Sequence, residues 1–221
     1  WVIVIVSVCM VLSLALALIL NERFKGRKFV RTVLLLPWAT SQFIFACAWR
    51  YIFNYEFGNL NALLIQLGII KENINWLGNA NSALACMTFV GFIVTIPFMT
   101  FTLLSGLTAI SNDYYEAATI DGANFWQKLW GITLPLLAPT TVFLLVTTFL
   151  SAMKVFQSVD ILTSGGPSRS TEVFVYLIYR YAMVDFRMDR AATSAVMFFI
   201  VLLTITAATM KVSDNNVNYD S

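Results

Sequence analysis

The residues with most chemical character are three acids, Asp113, Glu116 and Asp121, gathered in the polar stretch SNDYYEAATIDGANFWQKLWGITLP, residues 111–135. Grouped carboxylates can move protons or hold a cation, but that chemistry needs partners. The chain contains no histidine, which removes the commonest general base and the commonest metal ligand together. Cys9, Cys47 and Cys86 each sit inside an apolar run, with neither CxxC nor zinc-knuckle spacing, and are read as small buried hydrophobes. No G-x-x-x-x-G-K-[ST] loop occurs, so the chain has no phosphate cradle of that type. No catalytic residue, metal site or cofactor is expected. A membrane-embedded enzyme, such as a lipid-modifying transferase or a protease, is disfavoured because these three acids are the only ones grouped near a face.

The same stretch reads well as helix chemistry. Asp113 and Glu116 have the D-x-x-E spacing of a capping box, and Ala117 and Ala118 are strong helix formers. Gly122 can take the left-handed conformation that closes a helix, with Asp121 placed to bond the amides of the next turn. A second short helix then carries Phe125, Trp126, Leu129 and Trp130, a stripe suited to a membrane interface. Pro139 is placed to bend the helix that follows. On residues alone, an interfacial hairpin that merely joins two longer helices is the favoured reading.

The elements that position this stretch are apolar. The 221 residues are 59% hydrophobic and 12% charged, with a mean hydropathy of +0.77, well outside the usual range for soluble domains. Five segments reach the roughly 20 residues a crossing helix needs: 1–20, 32–53, 82–105, 132–153 and 191–210. The second carries one charge, Arg50, close enough to its end to reach the headgroups. The expected fold is an all-α integral membrane protein, one transmembrane domain over residues 1–211 followed by a tail at 212–221. The net charge of +2 is dispersed, so nucleic-acid binding is excluded.

Orientation follows the basic residues of short loops. Arg23, Lys25, Arg27, Lys28 and Arg31 form one compact cluster after the first segment and place that connection in the cytoplasm. The 111–135 stretch then falls on the same side, as does the tail. Lys154, Arg169, Arg180, Arg187 and Arg190 fall on the opposite side, so compactness of the first cluster, rather than the total count, decides. Residues 173–184 are too short to span and include Arg180, and a partly buried or reentrant helix is expected there.

The pattern E-A-A, three residues, G, nine residues, I-x-L-P is matched at Glu116, Ala117, Ala118, Gly122, Ile132, Leu134 and Pro135. Here the chain resembles the permease subunits of binding-protein-dependent ABC importers. Gly165, Gly166 and Pro167, followed by Thr171, are similar to the sugar-permease branch. The resemblance implies a pore subunit that carries a sugar or oligosaccharide into a bacterial or archaeal cell, without an ATPase of its own. It also implies a pair of cytoplasmic ATPase subunits, a second permease subunit and an extracytoplasmic solute-binding protein, besides membrane lipid. Glu116, Ala117, Ala118, Asp121, Gly122 and Ala123 are the implied contacts to the ATPase. The family's usual cytoplasmic amino terminus implies six spans in the full chain, with one preceding Trp1. Where many sugar permeases have glycine and small residues before the last span, this chain has DFRMDRAATSA.

Within the spans, Ser41, Gln42, Thr147, Thr148 and Ser151 are neutral hydrogen-bonding groups, and no acid or base lies deep in an apolar run. They are candidates for contact with an uncharged, hydroxyl-rich solute in the passage, or for ordinary bonds between and within helices. Importers of glycerol phosphate or a polyamine, and a membrane scaffold without transport, are the alternatives.

Overall fold

The computed structural model describes residues 1–22 and 24–216, the side chains of 210–216 excepted. Arg23 of the basic cluster and residues 217–221 of the tail expected at 212–221 lie outside what is described. The described residues form helices without a strand: α1 Val2–Asn21, α2 Arg27–Ala39, α3 Gln42–Ile52, α4 Asn59–Gln66, α5 Ala80–Ala109 and α6 Asn112–Ile120. They continue as α7 Phe125–Lys128, a π-helical turn Leu129–Thr133, α8 Leu134–Leu136, α9 Ala138–Met153 and α10 Gln157–Leu162. The last elements are α11 Phe174–Tyr179, a second π-helical turn Arg180–Val184, and α12 Met188–Asn216.

The sequence dictates how closely α1 meets α5. Cys9, Ser13 and Ala17 recur every four residues and are fully buried, a stripe of small side chains that lets two backbones approach. The Ser13 hydroxyl donates to Ile96 O at 3.2 Å, and the side chains of Trp1 and Ile5 lie over Gly91. Since residues 1–13 follow 91–96 in the same order, the two helices run parallel. The α9 helix returns antiparallel, its start marked by Leu137 and Thr140 against Gly106. Met99, Leu103, Leu107, Leu137 and Leu144 fill the space among the three. In a bilayer these side chains gain by tight van der Waals packing, because lipid tails are as apolar as they are.

Two expected spans are not continuous. The segment expected at 32–53 is split into α2 and α3, which meet at 94°. Pro37 lies inside α2, and the Thr40 hydroxyl turns back to Leu36 O at 2.8 Å while the Thr40 backbone goes extended. Both features end the first helix and turn the chain at Thr40 and Ser41. The segment expected at 132–153 bends by 65° at Leu137. Pro139, in the first turn of α9, has no amide hydrogen to continue the ladder from Pro135, so the bend falls just before it. With each bent pair counted as one crossing, the described helices provide up to five; α1, α5 and α12 alone are long and unbroken.

A second core lies around the starts of α5 and α10, with Phe53, Met87, Val90, Val159, Leu162 and Tyr176 buried together. It carries the connections 54–79 and 163–173. Asn61, 2% exposed, holds the first connection: its Nδ2 donates to Ile74 O at 3.0 Å, and its Oδ1 accepts from Trp76 Nε1 at 2.8 Å and Ile74 N at 3.3 Å. In the second, Thr171 Oγ1 donates to Gly166 O at 2.8 Å and lies 2.6 Å from Thr163 Oγ1. Glu172 pairs with Arg169 and Arg180, both at 2.6 Å.

Candidate functional site

Residues 111–135 fold as a protrusion between the end of α5 and the start of α9. Ser111, rather than the expected Asp113–Glu116 pair, caps α6, its hydroxyl accepting from Asp113 N at 3.2 Å. Serine at the cap leaves both acids exposed on the helix surface. Gly122 has φ +76°, and the turn around it satisfies the last carbonyls of α6: Ala123 N donates to Ala118 O at 2.8 Å and Gly122 N to Thr119 O at 3.1 Å. This pair of bonds is a Schellman closure, which requires the left-handed residue glycine supplies.

The capping box is at α7. Asn124 Oδ1 accepts from Gln127 N at 2.9 Å, and Gln127 Oε1 accepts from Asn124 N at 2.8 Å. Asp121, expected to bond those amides, is instead the exposed C-cap residue just past the end of α6, because the Schellman turn sends the chain three residues further before the cap of α7. Two side-chain bonds cross between the arms of the protrusion. Lys128 Nζ donates to Thr119 Oγ1 at 2.7 Å, and the Tyr115 and Thr133 hydroxyls are 3.1 Å apart.

Glu116, Ala117, Asp121 and Gly122 are exposed; Ala118 and Ala123 are half-buried. Ile120 is 87% exposed, and Phe125, Trp126 and Trp130 are also uncovered. The tip thus offers one carboxylate-bearing helix face, small side chains and apolar residues, on a backbone braced at both ends. It has donors and acceptors for docking but no convergent constellation for catalysis.

Between α5 and α9, nearer the other end of the helices, is a cavity of about 190 Å³. Gln42, Thr147, Thr148 and Ser151 all line it, brought together from α3 and α9. Ser41 is apart from them, exposed at the corner before α3 and not on the cavity wall. Thr147 returns its hydroxyl to Phe143 O at 2.8 Å. No such bond ties Gln42, Thr148 or Ser151 among the described residues.

The cavity wall also includes Trp1, Trp38, Phe45, Thr95 and Phe98, which sequence reasoning did not single out. The rings of Trp38 and Phe98 stack with centroids 6.2 Å apart and planes at 18°. Aromatic faces beside hydroxyl and amide groups can hold a ligand with both C–H faces and hydroxyls. No acid or base lines the cavity. Among the described residues there is no cluster of metal-ligating side chains.

The family described as binding-protein-dependent transport system inner membrane component matches residues 9–219. The chain is 39% identical over 208 residues to the trehalose/maltose transport system permease protein MalF of Thermococcus litoralis, covering 94% of this chain and 69% of that protein. It is 36% identical over 213 residues to a probable ABC transporter permease protein of Brucella suis, covering 96% and 74%. Over 213 residues it is 31% identical to the sn-glycerol-3-phosphate transport system permease protein UgpA of Agrobacterium fabrum, covering 96% and 72%. Its fold is similar to a chain of a bacterial ABC transporter that imports the acidic polysaccharide alginate, with a TM-score of 0.85 over 98% of this chain and 78% of that one, at 24% identity.

Proposed function

The chain belongs to the family of binding-protein-dependent transport system inner membrane components, and from that membership we propose that it is the pore subunit through which a sugar or oligosaccharide enters the cell. One observation carries the proposal. The two helices that hold the protrusion, α5 and α9, are also the two that supply most of the cavity wall. A force applied at Glu116–Ala123 therefore acts on the walls that contain Thr95, Phe98, Thr148 and Ser151. Packed helices move as rigid bodies, so displacement at one end is passed to the other.

In this reading the protrusion docks on a cytoplasmic ATPase through Glu116, Ala117, Ala118, Asp121, Gly122 and Ala123. Energy comes from a pair of such ATPases, and a second permease subunit completes the pore. A solute-binding protein delivers the ligand on the opposite face, where the 54–79 and 163–173 connections lie. ATP-driven approach of the ATPases draws the two protrusions together and opens the cavity outward; hydrolysis resets it. Residues 1–211 act as one transmembrane domain, with the protrusion and the tail after residue 211 in the cytoplasm.

An uncharged solute is favoured by the uncharged cavity wall, and a saccharide by the stacked Trp38 and Phe98 rings beside hydroxyl groups. The relatives named for trehalose and maltose and for glycerol phosphate bracket the chemistry without choosing between them.

Purification of the full-length protein in mild detergent tests the assembly. An ATPase and a second permease should accompany the wild type, and a Glu116→Ala/Gly122→Ala variant should lose the ATPase alone. Absence of an ATPase from both preparations would sink the coupling role. Uptake with competing neutral sugars, glycerol phosphate and polyamines then identifies the solute.

A further inference from the structure

We propose that Lys25, Arg27, Lys28 and Arg31 form a binding site for the phosphate of an anionic phospholipid headgroup. The site lies where α1 ends and α2 begins, and its charge is not neutralised by an acid among the described residues. Among the described residues none of the four forms an ion pair; the described pairs all involve Arg169 or Arg180. Glu22, the nearest acid in sequence, belongs to none of them.

The cluster has a shape as well as a charge. Residues 24–28 line a shallow concavity of about 560 Å³. Gly26, at φ +93°, makes the turn that folds Lys25 and Arg27 around it. Arg31 reaches back across the turn, its Nη2 donating to Leu20 O at 3.1 Å at the end of α1. That bond fixes one edge of the guanidinium and leaves the other without an acceptor. The Nε atoms of both Arg27 and Arg31 are buried and unbonded.

Buried donors normally find an acceptor, and a guanidinium matches the oxygens of a phosphate especially well. Burial and the charge of Arg27 both hold Arg31 below the usual guanidinium range, a repulsion that a bound anion would relieve. The concavity is flanked by Phe24, 40% exposed, and Phe29, 74% exposed. Uncovered aromatic rings at the end of an apolar helix belong at the headgroup level of a bilayer. A lipid satisfies the guanidinium groups and the aromatic rings together, whereas a free phosphate satisfies only the former. Polybasic segments beside a crossing helix are drawn to anionic lipid surfaces for the same electrostatic reason.

The test is native mass spectrometry of the full-length protein with its copurifying subunits, using phosphatidylglycerol and phosphatidylcholine of identical acyl chains as probes. Wild type should keep a phosphatidylglycerol under conditions that strip phosphatidylcholine. Arg27→Gln and Arg31→Gln should each weaken retention roughly fivefold, and the Lys25, Arg27, Lys28, Arg31 quadruple glutamine variant should abolish it. Arg27→Lys should retain more lipid than Arg27→Gln, and Lys154→Gln, an exposed basic residue outside the cluster, should leave retention unchanged. The single substitutions leave most of the cluster's charge, so insertion and orientation are preserved. Equal retention of the two lipids, unchanged binding in Arg27→Gln and Arg31→Gln, or full displacement by inorganic phosphate would each overturn the proposal. The readout is lipid mass, and it is independent of whether the protein imports a sugar.

Discussion

The Tyr115 hydroxyl lies 3.1 Å from the hydroxyl of Thr133, joining the helix that carries Glu116 to the π-helical turn from which the next long element departs. Thr133 is 4% exposed and also donates to Lys128 O at 3.3 Å. The bond therefore ties the protrusion to a buried point within a π-helical turn, an element that often marks functional sites. Tyr115→Phe removes the bond and keeps the ring. Stability should fall by about 1 kcal/mol, the net value of such a hydrogen bond. In the reconstituted transporter the ratio of solute moved to ATP hydrolysed should fall, with ATPase binding retained. An unchanged ratio would show that the brace has no part in coupling.

Gly122 and Gly131 separate backbone strain from space. A Cβ added at either position meets no atom within 4 Å, but only Gly122 has a left-handed φ, +76°. Gly122→Ala should destabilise by about 1 kcal/mol through strain alone. Gly131→Ala should be neutral or stabilise by up to about 1 kcal/mol, as alanine is the better helix former. Thermal unfolding of both variants in detergent is the check, and equal shifts would contradict the Schellman closure at Gly122.

The protrusion was legible in the sequence because its signals are local. Gly122 turns as its surroundings predicted, and the family pattern spans residues that are continuous in the chain. The capping residues were misjudged because Asp113, Ser111 and Asn124 are all competent caps, and which one serves depends on where the turn places the chain. The corner at Thr40 and Ser41 was missed for another reason. Hydropathy over residues 32–53 records apolar content and is blind to direction. Pro37 and the Thr40 bond to Leu36 O set the 94° turn, and the packing of α3 on α10 holds it. That corner brings Gln42 to the cavity and leaves Ser41 outside it, a distinction two adjacent polar residues could not reveal in sequence. Trp38 and Phe98 were not singled out at all, since their stacking joins residues far apart in the chain.

Asn61 is the hub of the 54–79 connection. Removing its side chain leaves Ile74 N, Ile74 O and Trp76 Nε1 without that partner in a half-buried setting. Asn61→Ala should cost about 3 kcal/mol, given roughly 1–3 kcal/mol for each buried group left unpaired. Asn61→Asp keeps the acceptor and loses the donor, so its effect should be intermediate. Proteolysis applied from the face opposite the 111–135 protrusion should cut residues 67–79 faster in Asn61→Ala than in wild type. Resistance equal to wild type would refute the hub.

Thr147 and Thr148 are adjacent, both line the cavity, and differ in what their hydroxyls already do. Thr147 is bonded to Phe143 O at 2.8 Å, a bond internal to its helix, whereas Thr148 has no such bond and is 4% exposed. Valine replaces threonine at nearly the same volume, so each substitution removes a hydroxyl and little else. If Thr148 contacts the solute, Thr148→Val should raise KM for transport about tenfold, the effect of a hydrogen bond worth about 1.4 kcal/mol. Basal ATP hydrolysis should be unchanged, because the protrusion and its braces are untouched. Thr147→Val should leave KM within about twofold, since its hydroxyl is already satisfied within the helix. Equal effects from the two variants would mean that the cavity reads shape alone and that the Thr148 hydroxyl does not meet the solute.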